Sequence, residues 1–157
     1  MSYSALAVAN AFIELSQRDN IPLTNMKLQK LVYFAHGFAL ALNQDGLFRE
    51  PVHAFQWGPV IPDLYSAVKH YGSDPITGKI QLPPGEPAID LSDENCPAAR
   101  LIKMVWTKYG RFSAAQLSTI THKPNTPWSQ VWNDTEYGII PNDLIRYHYK
   151  DLIAKAA

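Results

Sequence analysis

Cysteine is almost absent from the sequence. Cys96 stands alone among 157 residues, which excludes an intrachain disulfide and every zinc pattern built on paired cysteines. Charge is also sparse: 18% of residues are charged, against about 25% in an average protein. Neither sign dominates, because 14 Lys and Arg balance 14 Asp and Glu. A global electrostatic grip on nucleic acid or an anionic membrane is therefore not expected, and only a local patch would serve. A surface with so little repulsive charge favours association, with a partner or as a homo-oligomer. No apolar run approaches the ~20 residues of a membrane span. The first 15 residues lack the basic start of a secretory signal, and Glu14 and Arg18 interrupt the apolar pattern. These absences predict a soluble protein of a reducing, cytoplasmic compartment, without a membrane partner.

Catalytic fingerprints are missing as well. There is no Gly-x-Ser-x-Gly elbow and no phosphate-cradling glycine loop, since Thr77-Gly78-Lys79 lacks the preceding glycine. None of His36, His53, His70, His122 and His148 forms the His-Glu-x-x-His pair that sets two imidazoles on one helical face. Cys96 has no base beside it to make it a nucleophile. The expectation is a protein that is not an enzyme and holds no metal or cofactor.

What is present is an apolar chain, 46% hydrophobic, long enough to bury a core without staples and far from the composition of disorder. A chain of this length predicts one domain over 1–157. Residues 4–16 carry Leu6, Ala9, Phe12, Ile13 and Leu15 at helical spacing. Residues 18–22 break that pattern, and Thr24 or Asn25 offers an N-cap oxygen. A second helix is predicted over 25–42. Its Leu28, Leu31, Val32, Ala35, Phe38, Ala39 and Leu42 fall within roughly a 120° arc, at ~100° per residue. The other side carries Met26, Gln29, Lys30, Tyr33, His36 and Gly37, a polar-aromatic face unlike a plain solvated one.

Beyond a turn at 43–49, residues 52–57 read as a strand ended by Gly58-Pro59, with Phe55 and Trp57 as its β formers. Pro59 or Pro62 suits the first turn of a third helix, which Ile61, Leu64, Tyr65 and Val68 place on the core and Gly72 closes. Residues 73–97 are rich in Pro, Gly and Asp and read as a long loop with a short hairpin arm at 76–82; loops of this length are often functional. A fourth helix is predicted over 97–109. Ser113 then opens a short helix with Gln116 in a capping box, residues 122–127 form a loop, and a last helix covers 142–155. The predicted fold is mainly α: a compact bundle of five to six helices with a small antiparallel β element.

Two binding chemistries are visible in these elements. Arg100, Lys103, Lys108 and Arg111 form a basic face that would neutralise a few phosphates. The short helix after it presents Ser113, Gln116 and Thr119 in a faint helix-turn-helix arrangement. The same four charges also describe an ordinary solvated helix face. The second chemistry is aromatic: four Trp, eight Tyr and six Phe exceed what a core of this size needs, and Trp and Tyr are the usual anchors of protein interfaces.

Three motifs stand in a fixed order: Lys27-Leu28-Gln29-Lys30-Leu31-x-Tyr33, then Trp57-Gly58-Pro59-Val60-x-Pro62-x-Leu64-Tyr65, then Leu117-Ser118-x-x-Thr121-His122. Together they resemble the Panacea domain, the antitoxin domain of the SocA-like family, which includes phage-associated GepA-like proteins. The resemblance covers about residues 5–132. It implies a mostly helical fold and one half of a bacterial or prophage toxin–antitoxin pair. The partner it implies is a cognate protein toxin, bound directly, and in one branch of the family the antitoxin delivers its toxin to a Clp-type protease. Mapped onto this sequence, Lys30, Tyr33, Trp57 and Tyr65 are either core edge or toxin contact. The alternative is a DNA-binding or phage-associated regulatory protein acting through Arg100, Lys103, Lys108 and Arg111.

Overall fold

The computed structural model describes residues 3–43 and 45–156. Gln44, within the turn expected at 43–49, lies outside them. The chain begins with α1 (Ala5–Asp19), capped by Ser4, whose hydroxyl accepts from the Ala7 amide at 3.1 Å, and ended by Asn20 in the left-handed region. Next comes α2 (Asn25–Asn43), whose first turn is held by the Thr24 hydroxyl, accepting from the Lys27 amide. Strands β1 (Val52–Phe55) and β2 (Gly58–Val60) follow, then α3 (Pro62–Val68) with a single 3-10 turn. After the long irregular segment come α4 (Pro97–Tyr109), α5 (Ala114–Thr121), α6 (Pro127–Asp134), β3 (Ile139–Ile140) and α7 (Asn142–Ala156). The fold is mainly α with a small antiparallel sheet, as the sequence implies.

The architecture is organised around α2. It packs against α1, α3, α4, α5, α7 and β2, and every residue from Leu31 to Leu40 is buried. The predicted one-sided stripe is thus only half of the helix's contacts. The face bearing Lys30, Tyr33, His36 and Gly37 is also inside, and only Met26 of that set is exposed. A helix enclosed on all sides must satisfy its polar residues through other segments, and this one does. Gly37 sits against Tyr149 of α7 so closely that a Cβ there would lie 2.5 Å from the ring. Around α2, Phe34 stacks on Tyr109 at 4.5 Å, and Phe38 meets Tyr149 edge-on at 4.9 Å.

Three local differences from the sequence reading have physical causes. First, α6 fills residues 127–134, a stretch to which the sequence reading assigns no element, directly after the expected loop: Thr126 and Ser129 form a reciprocal capping box, and Pro127 occupies the first turn, where its missing amide costs nothing. Second, Gly58-Pro59 does not simply end a strand. It forms β2, which pairs antiparallel with β1 across a two-residue tip, Phe55 opposite Gly58 and His53 opposite Val60. The sheet order is β2-β1-β3, so Pro59 lies on an edge strand, where proline is tolerated. Third, residues 76–82 form no hairpin. They lie extended along α1, fastened by Asn10, whose side chain both donates to the Ile80 carbonyl at 2.8 Å and accepts from its amide at 2.7 Å. An ion pair between Lys79 and Glu14 and a bond from the Ile76 amide to the Leu23 carbonyl complete the strap.

Candidate functional site

The polar residues of the first motif fasten α2 to its neighbours. Lys27 donates to the Gly110 carbonyl and lies 5.8 Å from the Trp106 ring, tying α2 to the end of α4. Gln29 donates to Asn25 at 3.1 Å and accepts from the Ile61 amide at 2.9 Å. Lys30 donates to the Pro59 carbonyl at 3.0 Å. Burial pushes the Lys30 ammonium down to about 7, because taking the charged form out of water disfavours it. Burial also raises the Tyr33 phenol well above its ordinary range.

The same logic holds the β1–β2 tip. Three carbonyls along it, from Phe55, Trp57 and Pro59, each accept a side-chain donor from a different helix: Trp128 of α6, Ser118 of α5 and Lys30 of α2. Gly58 lies among them with φ +122°, and a Cβ there would meet the Lys30 Cε and Thr121 Oγ1 at 2.9 Å each. Only glycine fits both the dihedral and the space. The third motif therefore contributes Ser118 and Thr121 to the seat beneath the tip.

This fastening turns one aromatic outward. Trp57 is 59% exposed, and with Tyr65 at 43%, Tyr137 at 52% and Met26 at 38% it rims a cavity of about 550 Å³. Phe55, Val60 and Lys30 are part of its wall, and Gly72 and Ser73 reach its edge. Tyr137 adopts φ +64°, a conformation that costs a side-chain-bearing residue free energy. It is held there by its amide donating to the Ala54 carbonyl at 3.0 Å, and its own carbonyl accepts from His53 at 2.8 Å. Its ring meets Phe55 edge-on at 5.2 Å and Trp132 at 5.3 Å, and Trp132 stacks on Trp128 at 5.7 Å. The exposed rim is thus continuous with an internal aromatic row.

The four motif residues singled out from sequence separate cleanly. Trp57 and Tyr65 are exposed and line one cavity. Lys30 is buried in its wall, and Tyr33 is buried beside Phe34 and Tyr149. Phe55 belongs to the same expected strand as Trp57, but Tyr137 joins the cavity without any sequence signal that groups it with them, since strand register and its positive φ bring it there. Of residues 73–97, only Ser73 reaches the cavity; the next part of the segment is occupied with α1.

The basic residues lie away from this cavity, with Arg100, Lys108 and Arg111 exposed and Lys103 half-buried. Lys103 donates to the Leu91 carbonyl at 2.9 Å, and Lys108 lies 5.3 Å from the Tyr109 ring and 5.9 Å from Phe38. Arg100 reaches the Glu94 carbonyl at 3.4 Å, and Arg111 is exposed. Ser113 and Gln116 spend their side chains on the capping box, and Thr119 bonds the Ala115 carbonyl. Ser118 and His122 approach to 3.4 Å, but the serine hydroxyl donates to Trp57 and the His122 Nδ1 faces the Ser118 carbonyl. That imidazole nitrogen holds a proton and offers the serine no lone pair. Among the described residues, no group of three or more His, Cys, Asp or Glu is placed to hold a metal ion, and no helix is long and apolar enough to cross a membrane.

Comparison with known proteins agrees with the motifs that build this site. The family described as Antitoxin SocA-like, Panacea domain, matches residues 28–129, from the first motif through the Trp128 that fastens the tip. Antitoxin SocA of Caulobacter vibrioides (strain NA1000 / CB15N) is 32% identical over 135 residues, covering 84% of this chain and 72% of that protein. No solved structure matches the chain. With nearly two thirds of its length inside the family's match and residues of all three motifs meeting at the fastened tip, the chain belongs to the Antitoxin SocA-like, Panacea domain family.

Proposed function

We infer that this protein is an antitoxin that works by contact, binding a cognate protein toxin directly and hiding its active surface. The observation that carries this reading is the aromatic-rimmed cavity: Trp57 and Tyr65 are large and exposed, Trp57 on a tip fastened to three helices and Tyr65 on α3 beside it. Exposed Trp and Tyr at the mouth of a preformed recess are the residue types that dominate interface energetics. Met26 and Tyr137 extend the face, and Lys30 contributes from the wall. Tyr33 supports the reading only indirectly, as part of the buried aromatic packing around α2. A toxin-covering interface of about 800 Å² per partner is expected around this cavity.

The test is co-expression with the product of the adjacent gene. The neighbour alone arrests growth, and this protein restores it. The double variant Trp57→Ala, Tyr65→Ala keeps the urea midpoint of the parent, because both side chains are exposed, and loses protection. A neighbour that is harmless alone, or a double variant that protects as well as the parent, overturns the reading.

A further inference from the structure

The lining of the aromatic cavity is unequal in charge and in hydrogen bonding. Met26, Phe55, Trp57, Val60, Tyr65 and Tyr137 give it apolar walls. Among the lining residues there is no Asp or Glu, and the single ionisable cation is Lys30. That ammonium has three donors and spends one of them, on the Pro59 carbonyl. The Trp57 indole N–H, a donor with no acceptor function, makes no hydrogen bond to the described residues. Asp63, Asp74 and Glu136 neighbour lining residues in sequence, but they are exposed and stand outside the lining. The recess therefore combines apolar walls with spare donors and a buried amine that has no acidic neighbour in the lining. A buried cation without a counterion is unfavourable on its own, and an acid brought close to the Lys30 amine offsets that cost by favouring its protonated form.

We propose that the cavity receives from the partner protein an apolar or aromatic side chain accompanied by a carboxylate, the ring or aliphatic group seated among Trp57, Tyr65 and Tyr137 and the acid turned toward the Lys30 wall. This rests on the reading that the face docks the partner, and it adds what the partner must present there. The volume, about 550 Å³, lies within the range of about 300–1,000 Å³ of ligand-sized recesses. It accommodates a segment of two or so residues rather than one side chain. The occupant is a stretch of polypeptide rather than a free aromatic acid.

Capped dipeptides serve as probes. N-acetyl-Phe-Asp-amide is titrated into the isotope-labelled protein and followed by the indole N–H signal of Trp57 in proton–nitrogen correlation spectra. N-acetyl-Phe-Lys-amide is the charge-reversed control, N-acetyl-Gly-Asp-amide removes the anchor, and phenylacetate is the free acid. The Phe-Asp probe is expected to shift the Trp57 signal and to bind at least about fivefold tighter than the Phe-Lys probe, with the Gly-Asp probe and phenylacetate weaker still. Lys30→Met levels the Asp and Lys probes; should that variant fail to fold, the preference measured on the parent chain still decides. Equal or tighter binding of the Phe-Lys probe, or a Trp57 signal that no peptide moves, overturns the charge assignment. Phenylacetate binding as tightly as the Phe-Asp probe overturns the polypeptide occupant. The neutralisation assay with Trp57→Ala, Tyr65→Ala is separate from all of these arms, so a wrong occupant and a wrong docking face give different results.

Discussion

Acidification should unlock the middle of α2 through one histidine. His36 is fully buried, stacked on Phe48 with ring centroids 4.0 Å apart. Its Nδ1 accepts from the Leu47 amide at 3.1 Å, and its Nε2 donates to the Asn142 side chain at 3.1 Å. The neutral ring satisfies both bonds, whereas a proton on Nδ1 would face the Leu47 N–H. Burial pushes the imidazole down to about 4, against an ordinary 6.5, with the Arg146 charge adding in the same direction and the Asn142 bond opposing it. The folded chain thus keeps His36 neutral where the unfolded chain has already taken a proton. Stability from this group is full above about pH 6.5 and is lost as pH falls toward 4, because the unfolded state binds more protons across that window. The gap corresponds to about 3 kcal/mol. Urea unfolding from about pH 7 down to about pH 4, on the parent and on His36→Gln, isolates the effect. The variant is less stable throughout but carries no titrating group at 36, so its slope reports everything else, including the half-buried His148, which burial also lowers. The parent should lose about 3 kcal/mol more than the variant over the window. Parallel curves would refute the neutral, locked imidazole and the α2–α7 connection built on it.

Two glycines and one lysine give further checks. Gly58→Ala should cost about 3 kcal/mol in urea unfolding, combining a positive-φ penalty with overpacking, since φ is +122° and the new methyl meets Lys30 and Thr121 at 2.9 Å; a loss under about 1 kcal/mol would mean that the tip is not held as described. Gly37→Ala should cost about 1–3 kcal/mol by driving a methyl to 2.5 Å from the Tyr149 ring. The same change should cost clearly less in a Tyr149→Leu background, and additive losses would show that the two positions do not touch. Lys30, lowered by burial to about 7, should make stability rise from about pH 7 towards pH 10, because there the unfolded chain holds the proton that the folded chain has released. Above about pH 10 the buried Tyr33 and Tyr149, both raised by burial, reverse the trend. Lys30→Met should flatten the rise between these limits, and a variant that rises as steeply as the parent would place the titration elsewhere.

The parts of the fold that could be read from sequence are those governed by local rules. The stripe of Leu28, Leu31, Ala35 and Phe38, the capping box at Ser113 and Gln116 and the proline at the start of α4 all act within a few residues of themselves. The second face of α2 was hidden for the opposite reason. Lys27, Gln29, Lys30 and His36 have no partners in the sequence pattern, and those they find are backbone groups of Gly110, Ile61, Pro59 and Leu47. All four lie on other segments, and no periodicity points to them. Helix α6 was missed because its box uses Ser129 in place of the usual Glu or Gln. In the site, Trp57 and Tyr65 share one motif, but the sequence leaves them open between core edge and contact and counts Tyr65 on the core side of α3, and only the fold shows both exposed. Tyr137 was not legible, because its place at the rim depends on β3 pairing with β1 and on a left-handed backbone that only the folded chain reveals.

The fastening of the tip bears directly on how tightly the cavity can hold a partner. Association loses the freedom of whatever must be ordered at the interface, at about 0.5–1.5 kcal/mol for each rotamer-rich side chain and more for a loop. A two-residue tip held only by its own strands would add backbone ordering to that cost. Here the carbonyls at 55, 57 and 59 are already bound by Trp128, Ser118 and Lys30, and Gly58 leaves no slack between Lys30 and Thr121. The backbone beneath Trp57 is therefore ordered when the chain folds, and the proposed docking would have only the exposed side chains left to fix. Trp57 and Tyr65 have two side-chain torsions each, so their contact area is gained at low entropic cost. On this argument the buried residues of the motifs and the exposed ones have different jobs in one device. With the partner docked as proposed, Ser118 and Lys30 would contribute to affinity without touching the partner's ring, by holding still the backbone from which Trp57 projects. Ser118→Ala should consequently weaken toxin binding while leaving the exposed rim chemically unchanged.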